Sequence, residues 1–122
     1  MKFQPDKPVY LQIASAFRAK IASGEYPPGA RMPAVRDLAQ EASVNPNTVQ
    51  HAYTQLDAWG LTDARSTAGR FVTADIETIR AVRLFLAREA AQRYLDELQE
   101  LGFDSDKAVS FLPAPISENA GK

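Results

Sequence analysis

Asn47, Gln50, His51 and Thr54 are spaced so that one turn after another of a helix brings them to the same side, and their groups exchange hydrogen bonds rather than attack or transfer. Val49, Ala52, Tyr53 and Leu56 recur on the other side at helical spacing. Asn45 is a favoured N-cap residue, and Pro46 follows where a missing N–H costs nothing and φ near −65° already suits a helix. The stretch from Val44 to Tyr53 therefore reads as a helix with a core face and a presenting face. Asn and Gln amides pair a donor with an acceptor and match an adenine edge in the major groove, while the hydroxyl of Thr48 or Thr54 can meet a base or a phosphate.

Other chemistry is missing. The chain has no cysteine, which excludes a disulfide framework, a thiolate metal site and a cysteine nucleophile. His51 is the single histidine, and a metal site built on it would need three converging carboxylates that the spacing does not suggest. An exposed or phosphate-facing place on the presenting helix accounts for His51 without a pH switch. No cofactor is expected, and no enzymatic activity.

The presenting helix needs elements to hold it. Ala34 to Ala42 reads as a short helix with Val35, Leu38, Ala39 and Ala42 on its apolar face, ending a few residues earlier. Two short helices joined by a tight turn form a helix-turn-helix. Upstream, Pro8 to Ser23 makes a first helix packing through Tyr10, Ile13, Ala14, Phe17 and Ile21, stopped by Gly24. Met1 to Lys7 is read as a frayed arm whose Lys2 and Lys7 lie within reach of phosphates. A Pro- and Gly-rich turn leads to a very short strand at Arg31–Met32, and Pro33 opens the second helix, with Arg36 in its first turn facing a phosphate or a guanine. After Trp59–Gly60, Leu61 to Val72 divides into two extended pieces around Ser66-Thr67-Ala68-Gly69, the pattern of a wing with Arg65 and Arg70 flanking its tip. Trp59 is expected to pack beneath that wing.

At 122 residues the chain has room for one domain and an appendage. Its net charge is −1, unevenly spread: eight Lys and Arg face six Asp and Glu up to Ala74, and six face nine beyond it. Phosphate binding follows local clusters rather than totals, so this balance permits nucleic acid as a partner. There is no apolar leader and no run of 18 apolar residues, which points to a cytoplasmic protein with no membrane partner.

The motifs occur in a definite order. Pro8-Val9-Tyr10-x-Gln12-Ile13 is followed by Gly24-x-Tyr26-x-Pro28-Gly29-x-Arg31-Met32-Pro33-x-x-Arg36-x-Leu38-Ala39. Then come Val44-Asn45-Pro46-Asn47-Thr48-Val49, Ala52-Tyr53-x-x-Leu56, Gly60-Leu61 and Gly69-x-Phe71-Val72. Together they resemble the GntR family of regulators, and the Asn-Pro-Asn-Thr-Val run resembles its short YtrA-type branch. The resemblance implies dimeric repressors on pseudo-palindromic operators. It places DNA contacts at Arg36, Asn45, Asn47, Thr48 and Gln50 and in the wing from Arg65 through Ser66 and Thr67 to Gly69; His51, Thr54 and Arg70 join them from the residue reading above. The chain departs from the family pattern at Pro46, which cannot donate where some relatives carry Arg, and at the wing tip, where a basic-Gly-basic-Gly run is usual. It departs also at Thr62, in place of an aliphatic, and at Ala34, in place of a Ser cap.

Ile76 to Leu101 reads as one long helix ending at Gly102. Ile79, Val82, Leu86, Ala90 and Tyr94 form one apolar row, and Leu84, Ala91, Leu95 and Leu98 a second. So wide an arc calls for a partner helix. Ser105 to Leu112 is expected to form a closing helix capped by Asp104 or Ser105, and Pro113 to Lys122 a disordered tail. The resulting expectation is a mostly α protein with a small β-hairpin: a winged helix-turn-helix over residues 1–74, then a two-helix dimerisation hairpin over 75–112. Ile79, Val82, Leu84, Leu86, Ala90, Tyr94 and Leu98 are its expected dimer contacts. Double-stranded DNA and a second copy are the partners, with room for a small-molecule effector of unspecified identity. Two other classes remain. One is a winged helix that binds only protein; the other is the N-terminal fragment of a regulator carrying a pyridoxal-phosphate domain, as in another GntR branch.

Overall fold

The computed structural model describes residues 2–114 and divides into two compact units, Met1–Leu86 and Ala87–Lys122. In the first, α1 (Val9–Ser23) buries Ile13, Ala14, Phe17 and Ile21 of the residues its periodicity singled out, and Ala22 besides, while Tyr10 is half-buried. The preceding arm is not frayed. The Gln12 side chain accepts from the Gln4 N–H (2.8 Å) and donates to the carbonyls of Gln4 (2.8 Å) and Lys7 (2.9 Å), while Phe3 packs against the core. One amide side chain thus ties the arm to the helix it precedes.

Helix α2 (Val35–Ala42) starts at Ala34 with no side-chain cap, as the missing Ser implies. It ends at Ser43, whose φ of 57° is left-handed, with the Val44 N–H bonded to the Ala39 carbonyl at 3.0 Å. That closure makes the turn into α3 (Pro46–Ala58) short. Asn45 Oδ1 accepts from the Asn47 N–H at 2.7 Å and caps α3. Val49, Ala52, Tyr53 and Leu56 are buried and join Leu38, Ala39, Leu61, Val72 and Met32 in one core with α1. Tyr53 donates its hydroxyl to the Pro33 carbonyl at 2.8 Å, tying α3 to the entrance of α2. Burial above all raises the Tyr53 pKa, so the phenol stays a donor.

Strands β1 (Thr62–Ala64) and β2 (Arg70–Val72) pair antiparallel, Asp63 opposite Phe71, and one 3₁₀ turn, Ser66–Ala68, makes the tip. The expected strand at Arg31–Met32 is a single bridge from Arg31 to Phe71, flanked by bonds from the Met32 N–H to Arg70 (2.8 Å) and from the Val72 N–H to Ala30 (2.8 Å). Helix, turn, helix and hairpin together form a winged helix-turn-helix.

Helix α4 (Ile76–Glu100) begins at Asp75, whose carboxylate accepts from the Glu77 and Thr78 N–H groups and the Thr78 hydroxyl. These bonds, the Thr78 hydroxyl foremost, hold its carboxyl below the usual range. The boundary between the units falls inside α4 rather than before it, because Ile79 is buried in the first unit's core and Val82 packs against that core. Those two residues are therefore withdrawn from the expected dimer contacts.

In the second unit α4 ends at Gly102 (φ 92°), where the Phe103 N–H bonds the Leu98 carbonyl at 3.0 Å and the Gly102 N–H bonds that of Gln99 at 3.0 Å. The chain then turns back. The closing helix expected from Ser105 to Leu112 is instead two 3₁₀ turns, Ser105–Lys107 and Val109–Phe111, and neither Asp104 nor Ser105 caps them through a side chain. Tyr94 donates to the Ala108 carbonyl at 2.7 Å, Leu98 and Ala108 are buried, and Phe103 meets Phe111 edge to face at 4.9 Å. Leu98 and the Tyr94 hydroxyl thus serve the unit's own closure. Leu84 and Ala90 stay exposed and Leu86 half-buried, while Phe85, absent from the sequence expectation, is 51% exposed. Most of the expected tail, from residue 115 on, lies outside the described residues.

Candidate nucleic-acid interface

Once α3 commits Val49, Ala52, Tyr53 and Leu56 to the core, its geometry leaves Asn47, Gln50, His51 and Thr54 exposed and Thr48 half-buried. The presented groups fall into two neighbourhoods. Gln50 shares a concavity of about 300 Å³ with Arg31, Gly69 and Arg70, between α3 and the wing. Asn47, Thr48 and His51 line another of about 320 Å³ with Val9 and Tyr10 at the start of α1. There the His51 imidazole lies flat on the Tyr10 ring, centroids 3.5 Å apart and planes within 7°. That stacking fixes the plane of the ring, and the residue stays exposed.

Side-chain bonding sorts the candidates further. Asn45 spends its carbonyl oxygen on the α3 cap and keeps only its amide N–H groups for a partner. Thr54 turns its hydroxyl proton to the Gln50 carbonyl at 3.0 Å and retains only acceptor capacity outward. Arg36 is exposed on α2. Arg65, about half exposed, leans over the Phe71 ring at 4.6 Å and meets Asp63 at 3.1 Å, a contact that water screens. Thr67 is exposed on the tip, and the Ser66 backbone forms part of the same 3₁₀ turn.

Arg70 receives a different assignment from the one its position suggests. Its Nε and Nη2 donate to Asp57 Oδ1 (3.1 Å) and Oδ2 (2.9 Å), and its guanidinium lies 5.4 Å from the centre of the Tyr53 ring. Only 16% of its side chain is exposed. A bidentate pair this sheltered holds the wing to α3 and leaves Arg70 little freedom to seek a phosphate. Thr62 completes the arrangement. Buried where the family pattern places an aliphatic, it donates its hydroxyl to Asp57 Oδ1, the oxygen that also accepts from Arg70 Nε. The departure at Thr62 thus supplies the hydrogen bond that finishes the Asp57 carboxylate.

Sequence reasoning passed over Arg31. It is exposed, and its guanidinium lies across Gly69 so closely that a Cβ there would stand 3.1 Å from Arg31 Nε. With φ at 110°, Gly69 is needed both for its backbone and for this close approach. Arg31 thus brings a cation beside the wing tip from the segment before α2. Alternation offered a signal, since a strand residue next to buried Met32 must face outward.

Among the described residues no group of His, Asp or Glu converges to hold a metal, and no helix is long and apolar enough to cross a membrane. A winged helix-turn-helix presenting amides on its second helix and arginines beside its wing defines a DNA-binding regulatory domain. The family model described as "Bacterial regulatory proteins, gntR family" matches residues 9–72, and the chain belongs to that family, one of regulators rather than enzymes. It is 32% identical over 108 residues to the HTH-type transcriptional regulator YhcF of Bacillus subtilis, covering 88% of this chain and 89% of that one. It is 26% identical over 101 residues to the HTH-type transcriptional repressor YtrA of the same organism, covering 82% and 78%. Among solved structures, a GntR family transcriptional regulator from Listeria monocytogenes matches with a TM-score of 0.82 at 28% identity, over 89% of this chain and 96% of that one. The AraR(DBD) in complex with operator ORR3 matches with a TM-score of 0.54 at 25% identity, over 60% and 88%.

Proposed function

We propose that this transcriptional regulator is a repressor that binds a pseudo-palindromic operator as a homodimer in the cytoplasm, with α3 in the major groove. The observation that carries the reading is the concavity in which Gln50 of α3 faces the wing beside Arg31. An amide able to read a base edge stands next to a cation able to hold a phosphate. Gln50 and Asn47 are the base readers; Arg31, Arg36 and Arg65 hold the backbone. The AraR domain, which matches 60% of this chain, was solved on operator DNA, which supports a DNA partner here. The apolar side chains left exposed, Leu84 and Phe85 in the first unit and Leu101, Val109 and Leu112 in the second, favour a second copy as the partner that covers them. A two-fold dimer must set its reading helices about 34 Å apart, or a multiple of that, to meet successive major-groove faces.

Fluorescence anisotropy against the DNA upstream of the chain's own gene and against a scrambled duplex, each at two salt concentrations, tests this. Tighter binding to the upstream DNA with a steep salt slope on both is the expected result. Absence of binding at low salt would overturn it and favour a winged helix that engages protein.

A further inference from the structure

Within the first unit two concavities share Arg18 and Trp59 as walls. One, of about 630 Å³, runs along Lys7, Leu11 and Gln12; the other, of about 320 Å³, runs along Val82 and Phe85. Volumes of this size suit small molecules, which occupy sites of roughly 300–1,000 Å³. The walls are mostly hydrocarbon, and no Asp or Glu lines either concavity.

Arg18 is the unusual wall. Its guanidinium lies 4.2 Å from the centre of the Trp59 ring, and its Nε is buried with no hydrogen-bond partner. Among the described residues it enters no ion pair. A cation held on an aromatic face, with a sheltered donor lacking an acceptor, is poorly compensated by its own surroundings. A carboxylate seated in a concavity that Arg18 lines supplies the missing countercharge through the reachable part of the guanidinium, the buried Nε excepted. A polyphosphate is a poorer match, because beyond Arg18 and Lys7 the walls offer few donors for so many oxygens.

We propose that the larger concavity binds a small amphipathic carboxylate, its anionic end against Arg18 and its apolar body along Leu11 and Trp59. Nothing in the operator reading assigns these residues. Trp59 is the single tryptophan of the chain, so its emission reports occupancy directly and without DNA. The outcome is therefore separate from that of the operator titration.

The full-length chain is titrated with 4-phenylbutyrate and, as the uncharged control, with 4-phenylbutan-1-ol. The expected result is a saturable change in Trp59 emission with the acid, and about tenfold or more weaker binding of the alcohol, the loss of one charge-assisted contact. Arg18→Gln brings the acid down to the level of the alcohol, and Arg18→Lys recovers part of the difference. Leu11→Ala, at a half-buried position on the wall of the concavity, weakens acid and alcohol alike. Equal responses to acid and alcohol, or an Arg18→Gln variant binding the acid as the parent does, would overturn the proposal. So would a response to the acid that disappears as protein concentration rises at a constant excess of acid, which would mean that a second copy fills the groove.

Discussion

Arg65 and Arg70 flank the tip of one hairpin and end in different surroundings. Arg65 projects past the end of β1, about half exposed, against Phe71 and an equally exposed Asp63. Arg70 lies at the start of β2, folded inward against Asp57 with its charge matched oxygen for nitrogen. An arginine's availability to a phosphate depends on whether the fold has already supplied it with a carboxylate. Asp57 is supplied by α3, so the same ion pair that removes Arg70 from the surface sets the wing against the helix. Arg31, arriving from a different segment, lies exposed beside Gly69 of the wing.

The sharpest test of this contrast is Arg70→Ala. It leaves Asp57 sheltered with one bond, from Thr62, and is expected to lower folding stability by about 1–3 kcal/mol in urea denaturation. Arg65→Ala should leave stability nearly unchanged, and similar denaturation midpoints for the two variants would break the comparison. On DNA, Gln50→Ala is expected to narrow the gap between operator and scrambled duplex by about 1–3 kcal/mol in anisotropy titrations. Equal losses on both duplexes would remove Gln50 from the readers. Arg31→Ala and Arg65→Ala are each expected to weaken both duplexes alike and to reduce the salt slope by about one. An Arg31 variant that binds like the parent would leave the wing without the cation assigned to it.

The smallest effect concerns the helix starts. α3 is capped by neutral Asn45 and α4 by ionised Asp75. The folded Asp75 carboxyl titrates below its ordinary value of 3.8, so its contribution is fully present above that pH and is lost as pH falls through the lowered folded value. The parent chain should therefore lose slightly more thermal stability than Asp75→Asn on acidification below about pH 4. Parallel curves for the two would show that the cap adds nothing through its charge.

Much of the fold was legible because helical periodicity and caps act locally. Ile13, Phe17, Val49 and Leu56 could be assigned to the core, and the N-cap to Asn45, from near neighbours in the chain. The family motifs, read in order, located the wing as well. What escaped were contacts between residues distant in sequence. That Trp59 carries the Arg18 guanidinium from α1 is one such contact. Nothing near the arm in sequence announces that Gln12 closes on Gln4 and holds it in place. Ile79 looked like an interface residue because a helical row shows which residues are apolar and not which neighbour covers them.

By itself, the order of residues determined that three helices and a hairpin would form and that α3 would turn amides outward, since spacing alone divides a helix into faces. Only the tertiary structure decided which arginine near the wing is left for a partner. That choice depends on where Asp57 and Gly69 come to lie in space, and a charge is neutralised by the nearest opposite charge, whatever its distance along the chain.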